Sequence, residues 1–242
     1  MRKYLGILIC FVILTACDKH DPILPGTRTA IFDTISVDVQ NKTISDVPDS
    51  VVIVDNAKCK YTQNSSNIIM DGDRRIFSGF PTNNTVAGTR TPICSGKYLY
   101  AGLTTGELIK LNPKTRELIW VADIFRTTSL TGGSAMVDIV APIVPNGKYV
   151  YAGGLGDAFC KISASSGVKQ WCLDIGVALP FIIAGNYAFV LSTDNNLYAI
   201  RTDEGTVYWR TSIDKASVPV YENGVITVGS RRIDVVDGKI IK

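Results

Sequence analysis

The sequence predicts an all-β fold, a β-propeller of four-stranded antiparallel blades, on three observations. The stretch Gly185 to Trp209 (GNYAFVLSTDNNLYAIRTDEGTVYW) is written twice more upstream, as GKYLYAGLTTGELIKLNPKTRELIW ending at Trp120 and GKYVYAGGLGDAFCKISASSGVKQW ending at Trp171. In each copy the opening glycine and closing tryptophan are 24 residues apart (96 to 120, 147 to 171, 185 to 209), and a fourth, shorter copy starts at Gly224. Successive glycines stand 38 to 51 residues apart, with β-rich runs and turn residues between them and no helical periodicity. Such self-similarity marks an array whose units bury their apolar faces only against each other.

Within a repeat, a run after the glycine (Tyr98 to Tyr100, Tyr149 to Tyr151, Tyr187 to Leu191) leads through a turn to a second run. The second runs carry apolar residues at both parities (Leu108, Ile109 and Leu111; Phe159, Cys160 and Ile162; Leu197, Tyr198 and Ile200), as strands covered on both faces require. Gly167 and Gly205 then suit the left-handed last residue of a three-residue hairpin loop. Arg116 holds that place in the first copy, which implies either a left-handed arginine, at about 1 kcal/mol, or a different turn. A strand closing on the tryptophan pairs back, and Pro-containing runs before each glycine supply the fourth. The repeats are placed at about 91–123, 139–175, 179–213 and 218–242. Trp120, Trp171 and Trp209 are read as blade-packing residues, because regular apolar positions belong to a core.

In chain order, Met1 to Ala16 has Arg2 and Lys3 and then a 13-residue apolar run, shorter than the roughly 20 residues a spanning helix needs. It reads as a secretory leader. Residues 17–50 read as a polar tether, and residues 51–242 as the propeller. Val51 to Phe80 holds four short β-runs without a tryptophan, a candidate degenerate blade. Asp71-Gly72-Asp73 is read as a plain turn over a calcium loop, which needs more oxygens in a longer pattern. Trp120 lies 27 residues before the next repeat glycine, against 14 and 15 at the later joints, and the surplus falls in Ile124 to Asp138. That loop, with Arg126, Leu130 and Met136, is the candidate partner-binding segment; a bland surface excursion is the alternative.

Lys and Arg number 25 against 22 Asp and Glu, so loss of Arg2 and Lys3 with the leader leaves a nearly neutral chain with no basic stripe for nucleic acid. Strand pairing sets Cys160 opposite Cys172 on one face, in position for a disulfide, with two buried thiols as the alternative; Cys59 and Cys94 remain as a pair by elimination. No catalytic or metal constellation is present: the one histidine, His20, falls in the tether, and there is no Cys-x-x-Cys, P-loop or Gly-x-Gly-x-x-Gly. Gly102 to Gly106 and Gly153 to Gly156 are turns in the repeat register.

Leu14-Thr15-Ala16-Cys17 resembles the lipobox of bacterial lipoproteins, which implies diacylation and a mature start at Cys17. Asp18 resembles the signal that keeps such proteins in the inner membrane, so the outer and inner membranes both stay open, the outer favoured. The repeat pattern, with Thr115 and Trp120, Gly167 and Trp171, and Ala199, Gly205 and Trp209, resembles pyrroloquinoline-quinone-type propeller repeats, departing at Asn112, Ser163, Arg201 and Arg116. Cofactor cysteines of the quinone enzymes are missing, so no cofactor is carried over. With the lipobox, Ile23-Leu24-Pro25-Gly26, Arg28, Thr131 to Gly154 and Ser192 to Trp209, the chain more closely resembles the BamB family of propeller lipoproteins. That resemblance implies a non-enzymatic scaffold on the periplasmic side, docking by loops onto the central protein of the outer-membrane β-barrel assembly machinery. The alternatives are a quinoprotein-like periplasmic enzyme or redox subunit, and a truncated paralogue without function. Family members have eight blades, so this chain is shortened: it closes with four or five blades, or stays open and self-associates through bare sheet edges.

Overall fold

Each repeat folds as its own four-stranded antiparallel meander. The computed structural model describes residues 37–54, 56, 59–82, 85–86, 91–125 and 136–241, and Ile35–Lys242 form one compact unit. A three-stranded sheet comes first: β1 (Tyr61–Gln63), β2 (Ile68–Asp71) and β3 (Arg74–Ser78). Blade 1 follows with β4 (Ile93–Ser95), β5 (Tyr98–Gly102), β6 (Glu107–Asn112) and β7 (Glu117–Asp123), and blade 2 with β8 (Val144–Asn146), β9 (Tyr149–Gly154), β10 (Ala158–Ser163) and β11 (Lys169–Leu173). Blade 3 has β12 (Ile182–Ala184), β13 (Tyr187–Leu191), β14 (Asn196–Arg201) and β15 (Thr206–Ser212); blade 4 has β16 (Val220–Glu222), β17 (Val225–Val228), β18 (Arg231–Asp234) and β19 (Ile240–Ile241). Every sheet runs in simple chain order. The degenerate N-terminal unit is thus a sheet of three strands, with Gly72-Asp73 as its two-residue hairpin loop. Asp71 there is held by Lys60 at 2.7 Å and Arg74 at 3.6 Å.

Four apolar clusters lie in the seams between successive sheets, three of them completed by residues of the segment 37–54. Among the described residues no cluster or ladder joins blade 4 to the N-terminal sheet, so the array is an open, partial propeller.

The three tryptophans sit at the blade joints. Trp120, Trp171 and Trp209 donate their indole N–H to the carbonyls of Ala164 (3.2 Å), Thr202 (2.9 Å) and Val235 (2.9 Å) in the last hairpin of the next blade. Three residues beyond each acceptor stands a left-handed glycine, Gly167, Gly205 or Gly238, lying against the same indole. A Cβ there would fall 2.8, 2.8 or 2.6 Å from a ring atom. Arg116 occupies the matching place in blade 1 and is left-handed too, with φ 62°. The sheet before it has no tryptophan, so a side chain at 116 meets backbone strain and no indole.

The last hairpins differ in detail from expectation. Ser163 bonds Val168, leaving a loop of four residues, and a bulge between Lys161 and Ile162 then restores the pairing of Cys160 with Cys172. The extra loop residue and the extra bulge residue cancel. Blades 1 and 3 repeat the bulge one residue before the tryptophan, between Lys110 and Leu111 and between Ala199 and Ile200. A bulge changes the parity of the strand, which turns Trp120 inward (8% exposed) while Leu118 stays out.

Residues 1–36, which include the leader, Cys17, Asp18 and His20, lie outside the described residues. Residues 37–50, expected as tether, are packed on the blades. Val39 bridges Val207 in parallel, and Gln40 and Lys42 donate to the carbonyls of Val207 and Tyr208 on the edge of β15. Ile44 is buried between blades 3 and 4. Val51 then pairs with Ala184, Val52 N–H donates to the Ile183 carbonyl at 2.7 Å, and Asn56 bonds Pro92 and Cys94 of blade 1. Disulfides join Cys59 to Cys94 and Cys160 to Cys172.

Candidate functional site

In a four-stranded meander the turn between the second and third strands and the exit to the next blade share one face. On that face the β5–β6 and β9–β10 turns are rich in glycine, and the long connection from β7 to β8 is rooted on them. Ile124 is fully buried, its N–H bonded to the Gly106 carbonyl at 2.7 Å. Phe125 lies over two glycines: a Cβ on Gly106 or Gly156 would sit 2.6 or 2.5 Å from it. The returning end is fixed as firmly. Leu155 N–H donates to the Asp138 carbonyl at 2.9 Å, and Ile139 N–H to that of Leu103 at 3.2 Å. Both roots of the expected docking loop are therefore core.

Buried Asp138 also ties a second loop to this face, because one carboxylate oxygen accepts from Thr85 Oγ1 and from Val86 N–H, each at 2.8 Å. The start of that loop is held by Asn67, fully buried and left-handed with φ 59°. Its amide donates to the Phe80 carbonyl and to Thr104 Oγ1, each at 2.7 Å, and its oxygen accepts from Thr104 N–H at 2.9 Å. Thr82 Oγ1 adds a bond to Thr104 at 2.8 Å. Two loops thus leave one rigid base, and beside them large apolar side chains face water: Phe80 is 80% exposed and Met136 48%.

Of the residues expected to bind a partner, Met136 lies at the loop root, and Arg126 and Leu130 lie outside the described residues. Asn67, Phe80 and Phe125 are residues that sequence reasoning did not single out. Phe80-Pro81-Thr82 followed by two asparagines was a legible loop signal, whereas Asn67 and Phe125 matter only through what the fold brings to them. Further along this face, Asp194 loses by burial but gains more from hydrogen bonds with Ser192 and Asn196, which hold it below the usual carboxylate range. Among the described residues no group of three or more His, Cys, Asp or Glu side chains could hold a metal ion. The face offers apolar side chains, hydroxyls and fixed loop bases.

Repeated blades joined by indole–glycine contacts, with one face of rooted loops, define a propeller-repeat protein. The chain belongs to the family described as outer membrane protein assembly factor BamB, whose model matches residues 69–238. It is 25% identical over 127 residues to the outer membrane protein assembly factor BamB of Alkalilimnicola ehrlichii, covering 52% of this chain and 33% of that protein. To the protein of the same name from Salmonella typhimurium it is 24% identical over 166 residues, 65% of this chain and 42% of the other. The crystal structure of BamB from Moraxella catarrhalis superposes with a TM-score of 0.61 at 15% identity, over 73% of this chain and 58% of that one. The matched part thus spans well under half the length of these two curated relatives.

Proposed function

We propose that this chain is a non-catalytic scaffold in the assembly of outer-membrane β-barrel proteins, working on the periplasmic side of the envelope and needing no cofactor. The observation that carries the reading is the family match, which runs unbroken from the N-terminal sheet into blade 4. The loop face of blades 1 and 2 is the docking surface, with Phe80, Met136 and the segment holding Arg126 and Leu130 as its contacts. Its partner is the central barrel-insertion protein. A lipid on Cys17 holds the chain at the membrane, the outer one favoured, and Cys17→Ser is expected to move it to the soluble fraction.

Because Ile124, Phe125 and Asp138 are buried or packed, the segment to remove is 126–135 alone, replaced by a short Gly-Ser linker. Solubilised membranes expressing wild type, the linker variant and Phe80→Ser are expected to yield the barrel-assembly protein with wild type only, all three remaining folded by circular dichroism. Its absence from folded wild type overturns the partner, and its recovery with both variants overturns the docking face.

A further inference from the structure

The opposite face, where the first and last hairpins of each blade open, holds an unbalanced cation. Lys110 and Lys161 occupy the same repeat position, ten residues before the tryptophan. Both are buried, at 5% exposure. Each lies 3.9 Å from the centre of a tyrosine ring, Tyr98 or Tyr149, and each donates to the carbonyl that the indole also uses, Ala164 at 2.5 Å or Thr202 at 2.8 Å.

The two differ in what stands one residue beyond that carbonyl. For Lys161 it is Asp203, whose charge favours the ammonium. For Lys110 it is Ser165, and among the described residues Lys97 repels the ammonium while the neutral Tyr98 ring faces it. A buried ammonium without a counter-charge is costly. Desolvation pulls the pKa of both lysines down from the usual lysine value, and Lys110 lacks the offset that Asp203 gives Lys161. In place of a carboxylate, Lys110 lines an open cavity of about 710 Å³ between blades 1 and 2, together with Lys148, Tyr98, Tyr149, Ser165 and Ser166. No acidic residue lines it.

We propose that this cavity binds a carboxylate, which supplies Lys110 with the opposite charge that Asp203 supplies to Lys161, with the serine hydroxyls of the hairpin as further donors. One joint further on, the charge of Asp203 offsets part of the cost of burying Lys161, while the carboxylate itself pairs with Arg201 at 3.2 Å. The site lies on the face away from the loops proposed above and does not depend on that reading.

The test titrates the full chain in detergent, at fixed ionic strength, with succinate and with an acetylated, amidated tetrapeptide of Asp and Glu. Succinamide and the Asn/Gln peptide serve as neutral controls, and Trp fluorescence with calorimetry gives the readout. Lys110→Met removes the charge and keeps the stem, and Ser165→Asp builds in the counter-charge. Each variant is expected to weaken the acids at least about tenfold, as loss of a charge-assisted bond does, and the neutral controls to bind no variant. Peptide tighter than succinate by about tenfold identifies a polypeptide side chain as the source, and equal affinity a free acid. Acids that bind wild type and Ser165→Asp equally, amides that bind as well as acids, or no acid binding to folded wild type overturns the proposal.

Discussion

Gly205 lies face-on to the indole of Trp171, so close that a Cβ on the glycine would stand 2.8 Å from the ring. The same pairing joins Gly167 to Trp120 and Gly238 to Trp209, which makes this glycine the socket of every joint between full blades.

Gly205→Ala therefore meets two penalties, a left-handed backbone worth about 1 kcal/mol and a ring that must shift, worth a further 1–3 kcal/mol. Arg116→Gly relieves the first and meets no ring, so it is expected to stabilise by about 0.5–1 kcal/mol. Urea unfolding of the two variants checks both signs. A destabilised Arg116→Gly protein would show that the arginine makes a contact worth more than its backbone strain.

Trp209→Phe keeps most of the apolar area in the seam between blades 3 and 4 but leaves the buried Val235 carbonyl without its indole donor. A loss of about 1–3 kcal/mol is expected, against about 3–5 kcal/mol for Trp209→Ala. Chemical denaturation distinguishes the two, and equal losses would mean that the hydrogen bond contributes little.

The two disulfides enclose loops of different length, with a sequence separation of 12 for Cys160–Cys172 and 35 for Cys59–Cys94. On chain-entropy grounds their removal costs about 3 and about 4 kcal/mol. The second also fastens the N-terminal segment to β4, so Cys59→Ser with Cys94→Ser is expected to raise hydrogen exchange at Val52 and Asn56. Exchange there that matches wild type would assign the fastening to the strand pairing alone.

Tyr187 donates to Asp46 at 2.5 Å and accepts from Arg201 at 3.0 Å, which clasps the N-terminal segment to blade 3. Burial, then the Asp46 hydrogen bond, raises the Tyr187 pKa from 10.0 to about 12. The folded state thus holds that proton more tightly, so the contribution is complete below pH 10 and is lost as pH rises towards about 12. Asp46 shifts the opposite way: the Tyr187 bond lowers its pKa from 3.8, and its contribution fades as pH falls through the lowered value. Tyr187→Phe is expected to flatten the stability profile at both ends, as thermal melts across pH will show.

Asn67→Ala removes three hydrogen bonds at a fully buried position and is expected to cost about 2–4 kcal/mol. Proteolysis at the Phe80 loop is expected to quicken with it, and an unchanged cleavage rate would show the loop to be held by Thr82 and Asp138 instead.

The repeat register was legible in the sequence because it is written in residues whose geometry is local or periodic. The 24-residue interval from Gly to Trp, the doubly apolar strands and the glycine turns determined a blade, and the strand register set Cys160 against Cys172 before any coordinates. The paired excess residues in loop and bulge were invisible, since two one-residue shifts that cancel leave the far register unchanged. Only the tertiary structure decided what residues 37–54 do. Val39, Ile44 and Val51 look like tether residues, because their partners stand on blades more than a hundred residues away, at Val207, Val236 and Ala184. It also decided why Arg116 is tolerated and why Lys110 stands alone. Both depend on the neighbouring blade, on an indole that is missing in one case and a carboxylate in the other, and contacts between units do not appear in the pattern of either unit.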